Sequence, residues 1–78
     1  MMTKKEFRES QEYKNVVDKI RRYNKGFRFT LEYCKIPEAR LRALRVVMDD
    51  CVQQGLIESE RIGVALDGTI VDETFKRL

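Results

Sequence analysis

The spacing of apolar side chains predicts a long helix at the start of the chain. Between Thr3 and Gly26 the apolar positions recur every three or four residues and form one stripe: Tyr13, Val16, Val17, Ile20 and Tyr23. Thr3 and Glu6 have the spacing of a capping box, which predicts the helix start. The sequence Asn24-Lys25-Gly26 predicts its end, because glycine adopts the left-handed conformation at low cost. Phe7 lies off the stripe, so we expect residues 1–9 to be frayed or loosely packed.

The apolar spacing changes to every second residue after Gly26. The alternating residues are Phe27, Phe29, Leu31 and Tyr33 on one face and Arg28, Thr30, Glu32 and Cys34 on the other. Aromatic residues at a period of two are typical of a strand. We therefore predict a strand over residues 27–34, in a sheet with one face open to solvent.

A second helix is predicted between Pro37 and Gly55. Proline suits the first helical position, and Glu38 in the first turn complements the helix dipole. The apolar residues that share one face are Leu41, Leu44, Val47, Met48, Cys51 and Val52. Gly55 is expected to end the helix, with Leu56 placed for the hydrophobic contact that follows such a cap.

The remaining residues predict a hairpin and then a short helix. Alternation returns at Ile62, Val64 and Leu66. Asp67-Gly68 is typical of a two-residue turn, after which residues 69–71 pair back as a short strand. Asp72 is then expected to cap a final helical turn over residues 73–78.

These elements predict an α+β fold in a single domain of residues 1–78. The expected order is α-β-α-β-β-α, in two layers: two longer helices pack on a three-stranded sheet, and a short helical turn ends the chain. The length of 78 residues is too short for two domains that each bury a core. We expect neither a secretory signal nor a membrane span, and only two cysteines are present. Together these features predict a cytoplasmic protein.

Charge is unevenly distributed along the chain. Residues 1–30 hold nine basic and four acidic side chains, whereas residues 31–78 hold seven basic and nine acidic ones. The net charge of +3 therefore conceals a first part of +5 and a second part of −2. This polarity is compatible with an anionic partner and with self-association in which one half faces the other.

Histidine is absent from the sequence, which restricts the available chemistry. Its absence removes Ser-His and Cys-His nucleophile pairs and all imidazole metal ligands. Cys34 and Cys51 supply half of a structural zinc site, so a shared metal or disulfide would require two copies of the chain. Asp67 and Asp72 are interpreted as turn and cap residues. We therefore expect no metal, no cofactor, no catalytic residues and no enzymatic activity.

The stretch from Lys19 to Phe29 interleaves basic and aromatic residues, a composition that suits phosphate contacts and base stacking. Its aromatic residues lie on faces assigned to the core, which leaves the basic side chains as the available contacts. The candidate anion or nucleic-acid contacts are Lys14, Lys19, Arg21, Arg22, Lys25 and Arg28. A solvated helix face is the alternative interpretation of these residues.

The segment Val52–Glu58 (VQQGLIE), followed by a hairpin around Asp67-Gly68, resembles the end of a recognition helix that runs into the wing of a winged-helix DNA-binding domain. The resemblance covers residues 52–78 and implies an alternative contact face, formed by Arg42, Arg45 and Gln53. The chain departs from the winged-helix pattern because one helix, instead of two and a turn, lies between the first strand and the hairpin.

The sequence therefore predicts a small non-enzymatic binding or regulatory module that acts through protein–protein contacts. A protein partner or a second copy of the chain is expected, because the edges of a small sheet are natural pairing sites. No membrane partner is expected. The alternative is a nucleic-acid-binding, winged-helix-like regulator that uses the basic N-terminal half.

Overall fold

Across residues 3–78, which the computed structural model describes, three α-helices accompany a three-stranded antiparallel sheet. The helices are α1 (Lys4–Arg8), α2 (Gln11–Arg21) and α3 (Glu38–Gln53). The strands are β1 (Arg28–Glu32), β2 (Ile57–Val64) and β3 (Ile70–Arg77), and a 3₁₀ turn covers Tyr33–Lys35. The order across the sheet is β1-β3-β2. The predicted α+β class is confirmed.

The end of the chain is a strand, so the prediction of a final helical turn is wrong. β3 is the central strand, and its Phe75 lies opposite Phe29 of β1 and Ser59 of β2. Asp72, expected as a helix cap, lies opposite Gly63 within the β2–β3 ladder. A single helical turn is marginal in water. Pairing on both sides satisfies the backbone of this segment and buries Phe75 to 3% exposure.

The N-terminal helix is interrupted at Ser10. The Ser10 hydroxyl donates to the Phe7 carbonyl at 2.5 Å and accepts a hydrogen bond from the Tyr13 N–H at 3.2 Å, which starts α2. Because α1 is a separate helix, Phe7 turns into the core, contrary to the expectation that it lies off the packed face. The predicted cap is confirmed, since the Glu6 N–H donates to Thr3 Oγ1 at 3.1 Å. Residues 1 and 2 of the segment expected to be loosely packed lie outside the described residues.

Asp50 of α3 holds the two N-terminal helices in place. Arg8 donates from Nε to Oδ2 at 2.8 Å and from Nη2 to Oδ1 at 3.0 Å, and the Tyr13 hydroxyl donates to Oδ2 at 2.7 Å. Phe7 packs edge-on against Tyr13, with ring centroids 5.7 Å apart. The Arg8 guanidinium holds the pKa of Asp50 below its usual range. The stability from this ion pair is therefore present at neutral pH and is lost as the pH falls through the pKa of folded Asp50.

The hydrophobic core lies between the helices and one face of the sheet. Its most deeply buried side chains are Val47 and Cys51 of α3 and Ile57 of β2. The other members of the core are Phe7, Val17, Ile20, Met48 and Phe75. Val52, which the helical spacing placed on the buried face, is 41% exposed because it lies in the last turn of α3, at the margin of the sheet.

The bounds of α3 follow the sequence signals closely. Pro37 is the N-cap residue, one position before the helical residue that was predicted for it. At the other end Gly55 has a φ of +72°, a conformation that L side chains rarely adopt. The Leu56 N–H donates to the Cys51 carbonyl at 2.9 Å and the Gly55 N–H to the Val52 carbonyl at 3.0 Å, which completes a Schellman motif.

We expect the substitution Asp50→Asn to lower the free energy of unfolding by about 1–2 kcal/mol, because it removes a charge-assisted pair that is only partly exposed. Urea unfolding measures the loss, and amide hydrogen exchange of residues 3–9 reports whether α1 detaches. Asp49→Asn, at the neighbouring exposed carboxylate, is the matched control and should cost less than about 0.5 kcal/mol. Equal losses in the two variants would contradict this role of Asp50.

Candidate interaction surfaces

All six basic residues of the first candidate site are exposed. Within residues 3–78, Arg28 is the member of the set that forms an ion pair, donating to Glu60 at 2.7 Å from Nε and at 3.1 Å from Nη2. The Gly26 N–H donates to the Arg77 carbonyl at 2.7 Å, which brings the basic end of β3 beside the end of α2. Arg77 also donates from Nη2 to the Arg21 carbonyl at 3.5 Å. Lys14 lies near the middle of α2, and Lys19 borders a cavity beneath β1.

The alternative contact face on α3 is partly neutralised within the protein. Arg42 donates from Nη2 to Glu38 Oε1 at 2.7 Å, one turn earlier in the helix. Arg45 lies over the ring of Tyr33, with its guanidinium carbon 5.4 Å from the ring centroid. Gln53 is exposed at the last residue of α3. No second helix lies between β1 and α3, as the sequence predicted, but a 3₁₀ turn over Tyr33–Lys35 replaces the end of the strand predicted for residues 27–34.

Tyr33, in the 3₁₀ turn, is connected to β3 and β2 through a polar network that the alternation did not predict. Its hydroxyl donates to Glu73 Oε1 at 2.6 Å, and Ser59 Oγ donates to Glu73 Oε2 at 2.5 Å. Burial, with the bond to Glu73, raises the pKa of Tyr33 to about 12. Burial and the bond to Asp50 likewise raise the pKa of Tyr13 to about 12. The Tyr13 and Tyr33 hydroxyls therefore have a structural role: each links separate elements of the fold.

We expect the protein to lose stability between about pH 10 and pH 12. The folded pKa values of Tyr13 and Tyr33 lie above the unfolded value of about 10, so their contribution is complete below pH 10 and is lost as the pH rises through 12. Tyrosinate absorbance of wild type, Tyr13→Phe and Tyr33→Phe measures each ionisation. Complete ionisation of both hydroxyls by pH 10 in the folded protein would contradict the assignment.

The two cysteines occupy different environments. Cys51 is 1% exposed in α3, as its apolar face predicted, and burial raises the pKa of its thiol. Cys34 is exposed, but it lies in the 3₁₀ turn instead of on the polar face of the strand. Among residues 3–78, no group of three or more cysteine, aspartate or glutamate side chains is arranged to hold a metal ion. No helix in the same range has the length and apolar character needed to cross a membrane.

We expect one thiol to react with an aromatic disulfide reagent in the native protein and two after denaturation. Only an exposed thiolate is accessible to the reagent, and burial keeps Cys51 protonated and covered. The Cys34→Ser variant should show no rapid native reaction. Rapid reaction of two thiols in the native wild type would mean that Cys51 is not held in the core.

The β2–β3 hairpin carries apolar side chains that the helices leave uncovered. Ile62 is 51% exposed, Val64 59%, and Leu66 is fully exposed at the tip. We call these three residues the hairpin row. Their alternation was visible in the sequence and predicted a strand, but none of them was named as a candidate contact.

A bulge determines which face of the sheet Ile62 occupies. The register of β2 against β3 shifts between Ser59 and Arg61. A bulge opposes two residues to one and so reverses the alternation beyond it. Ser59 donates to Glu73, and Ile62 lies opposite Glu73 in the ladder, so both lie on the face that also carries Ile57. Ile62 therefore continues the core-facing side of β2.

The tip of the hairpin is a three-residue loop, one residue longer than the predicted turn. The Gly68 N–H donates to the Ala65 carbonyl at 3.0 Å, and Gly68 has a φ of +87°. Asp67 Oδ1 accepts from the Thr69 N–H at 2.9 Å, which lowers the pKa of Asp67 and confirms its role in the turn. Across residues 57–75 the charged groups are Arg61 and five carboxylates: Glu58, Glu60, Asp67, Asp72 and Glu73. With Lys76 and Arg77 at the end of β3, the whole hairpin holds five acidic and three basic side chains, so it is mildly acidic.

Two open cavities border α3. One, of about 600 Å³, lies between α1 and α3 beside Phe7 and Val46. The other, of about 270 Å³, lies beneath β1 between α2 and α3, and its apolar lining includes Val16, Phe29, Leu31 and Leu44. The second cavity places half-buried apolar side chains directly below an edge of the sheet.

No family model, no curated protein and no solved structure matches this chain. Its surfaces are therefore the basis on which a function is assigned.

Proposed function

We propose that this protein is a small non-enzymatic binding module that acts through protein–protein contacts made by its β2–β3 hairpin. The hairpin row is the observation that carries the proposal, because all three side chains are at least half exposed. A single exposed apolar residue is normal on a protein surface, whereas neighbouring ones mark interaction sites.

The charge of the hairpin indicates the chemistry of its partner. Five carboxylates and one guanidinium lie within residues 57–75, and one of the carboxylates, Glu60, is paired with Arg28. Complementary charge guides encounter and selects partners, while apolar burial supplies most of the binding energy. The expected partner is a protein with an apolar patch that is bordered by lysine or arginine side chains.

The same charges argue against the hairpin as a wing that lies along DNA. Carboxylates close to phosphates repel them, and nucleic-acid affinity depends mainly on neutralising phosphates with basic side chains. On α3, Arg42 is already paired with Glu38, which further weakens this alternative face. The winged-helix alternative therefore has less support from the surface than a protein contact.

One observation favours nucleic acid at a different place on the protein. Five exposed basic side chains form no ion pair within residues 3–78: Lys14, Lys19, Arg21, Arg22 and Lys25. Cations at a helix C-terminus also stabilise the helix dipole, which is a structural reason for part of this set. A nucleic-acid contact here would show binding that falls steeply with salt, with a shallower slope in an Arg21→Ala, Arg22→Ala variant.

A combined Ile62→Thr, Val64→Thr and Leu66→Asn variant tests the proposal. Threonine keeps the strand preference while it removes apolar contact area. We expect wild-type protein to capture a partner from nuclease-treated lysate of its native host, and the variant to capture at least about tenfold less, since one methylene contributes about 0.8 kcal/mol. Thermal unfolding should show that both proteins are folded.

The matched control replaces three other exposed apolar residues, in a Phe27→Thr, Val52→Thr and Leu78→Ser variant. Their exposures are 46%, 41% and 41%, but they lie outside the hairpin row. The control should capture the partner as the wild type does. Equal capture by the hairpin variant and the wild type would overturn the proposal, and capture that disappears on nuclease treatment would favour nucleic acid.

A further inference from the structure

We propose that two copies of this chain join at β1, along a two-fold axis that passes through Thr30. The inference rests on the proposed function, because it describes the geometry of one of the protein–protein contacts through which this protein is proposed to act. The proposed dimer uses the opposite edge of the sheet from the hairpin, so an experiment can refute either proposal without refuting the other. Its support comes from the backbone, the charges and the apolar side chains of β1.

The outer edge of β1 has backbone groups that the sheet does not satisfy. The Arg77 N–H donates to the Phe27 carbonyl at 2.8 Å, which fixes this pair as hydrogen-bonded. Hydrogen-bonded and non-hydrogen-bonded pairs alternate in an antiparallel ladder. The backbones of Phe29 and Leu31 therefore bond to β3. The residues that direct their N–H and C=O groups away from the sheet are Arg28, Thr30 and Glu32.

β1 is the regular edge of the sheet. Its five residues pair with β3 without a break in register. β2, at the other edge, shifts its register between Ser59 and Arg61 and again between Gly63 and Val64. Bulges and twists of this kind hinder strand addition, whereas a regular exposed edge invites it.

The sequence of β1 is complementary to itself when it is read in the opposite direction. An antiparallel pairing centred on Thr30 opposes Arg28 to Glu32 and Phe29 to Leu31 of the second copy. The residues with outward backbone groups then face one another, which gives about six hydrogen bonds across the axis. A slip of one residue would oppose charged to apolar side chains on both faces, so this register is distinguished from its neighbours.

The charged pairs can form without breaking contacts that each copy already makes. Arg28 uses Nε and Nη2 for Glu60, which leaves Nη1 to donate. Glu32 accepts from Lys35 through Oε2 at 2.7 Å, which leaves Oε1 to accept. The Arg28 and Glu32 side chains are 58% and 50% exposed on the solvent face of the sheet. Two such opposite-charge pairs would form across the axis.

The inner face of β1 offers apolar surface to the same partner. Phe29 and Leu31 are half-buried above the 270 Å³ cavity, whose lining continues to Val16 and Leu44. Each copy places its own Phe29 and Leu31 beside those of the other, at the mouth of the cavity. A five-residue strand pair with this apolar contact is small for a protein interface, so we expect a dimer that dissociates in the micromolar range.

Charge exchange across the axis is the first test. Sedimentation equilibrium from low to high micromolar concentration should show a dimer of the wild-type chain. Arg28→Glu and Glu32→Arg should each weaken it by at least about tenfold, since two attractive pairs become repulsive. The double variant Arg28→Glu, Glu32→Arg should recover most of that loss. Glu60→Gln, which removes the existing partner of Arg28 without changing β1, should dimerise as the wild type does.

Cross-linking tests the register directly and does not depend on charge. In a Cys34→Ser background, Thr30→Cys places two thiols opposite each other, with Cα atoms about 5.5 Å apart, within disulfide range. In the same background Glu32→Cys places its two thiols about 14 Å apart along the strands. Mild oxidation should give a covalent dimer with the first variant and not with the second.

A monomer at all concentrations would overturn the inference, as would single charge reversals without effect or a covalent dimer favoured by Glu32→Cys. If either charge variant fails to fold, the cross-linking pair still decides. The hairpin-row variant should remain dimeric. If the wild-type chain did not dimerise but still captured its partner through the hairpin, this geometry would be refuted and the proposed function would stand. A partner lost from an intact dimer would refute the proposed function alone.

Discussion

Pairing of β3 on both of its edges is the interaction on which the rest of this structure depends. β1 and β2 are not neighbours in the sheet, so without β3 each would be an isolated strand. An isolated strand or two-stranded hairpin is marginal in water, whereas three strands with one buried face are stable. β3 also contributes Phe75, which stacks on Phe29 with ring centroids 5.6 Å apart. The same eight residues therefore supply both the sheet's hydrogen bonds and part of its core.

Local periodicity predicted most elements of the fold, and its failures have non-local causes. The helical stripe, the period-two strand and the Gly55 stop each depend on residues close in the chain. The start of β3 was predicted as a short strand, but its remainder was predicted as a helical turn because acidic residues precede Lys76 and Arg77, an order that also suits a helix dipole. Its strand character comes from partners far away, as in the contact between Thr30 and Thr74, which are 44 positions apart. The interruption of the helix at Ser10 was not predicted, because the burial of Phe7 that it allows depends on residues far away in the chain.

For the candidate surfaces as well, features that depend on neighbouring residues could be predicted from the sequence, and features that depend on distant residues could not. The exposure of Lys14 and Arg22 could be predicted, because it follows from the apolar stripe on their own helix. The exposure of the hairpin row could not, because it depends on where the helices end above the sheet. Whether β1 lies at an edge of the sheet also depends on the strand order, which no local sequence pattern specifies. Contact surfaces of small proteins are set by what the rest of the fold leaves uncovered.

The bulge between Ser59 and Arg61 allows an odd number of positions to separate two side chains on the same face of the sheet. Ile57 and Ile62 are five positions apart, which in a regular strand would place them on opposite faces. With Glu60 as the extra residue, Ile62 lies opposite Glu73 and shares the face of Ile57. A regular β2 of the same length would turn Ile62 to the other face, among Arg28, Thr74 and Lys76, whereas loss of Glu60 would leave its face unchanged.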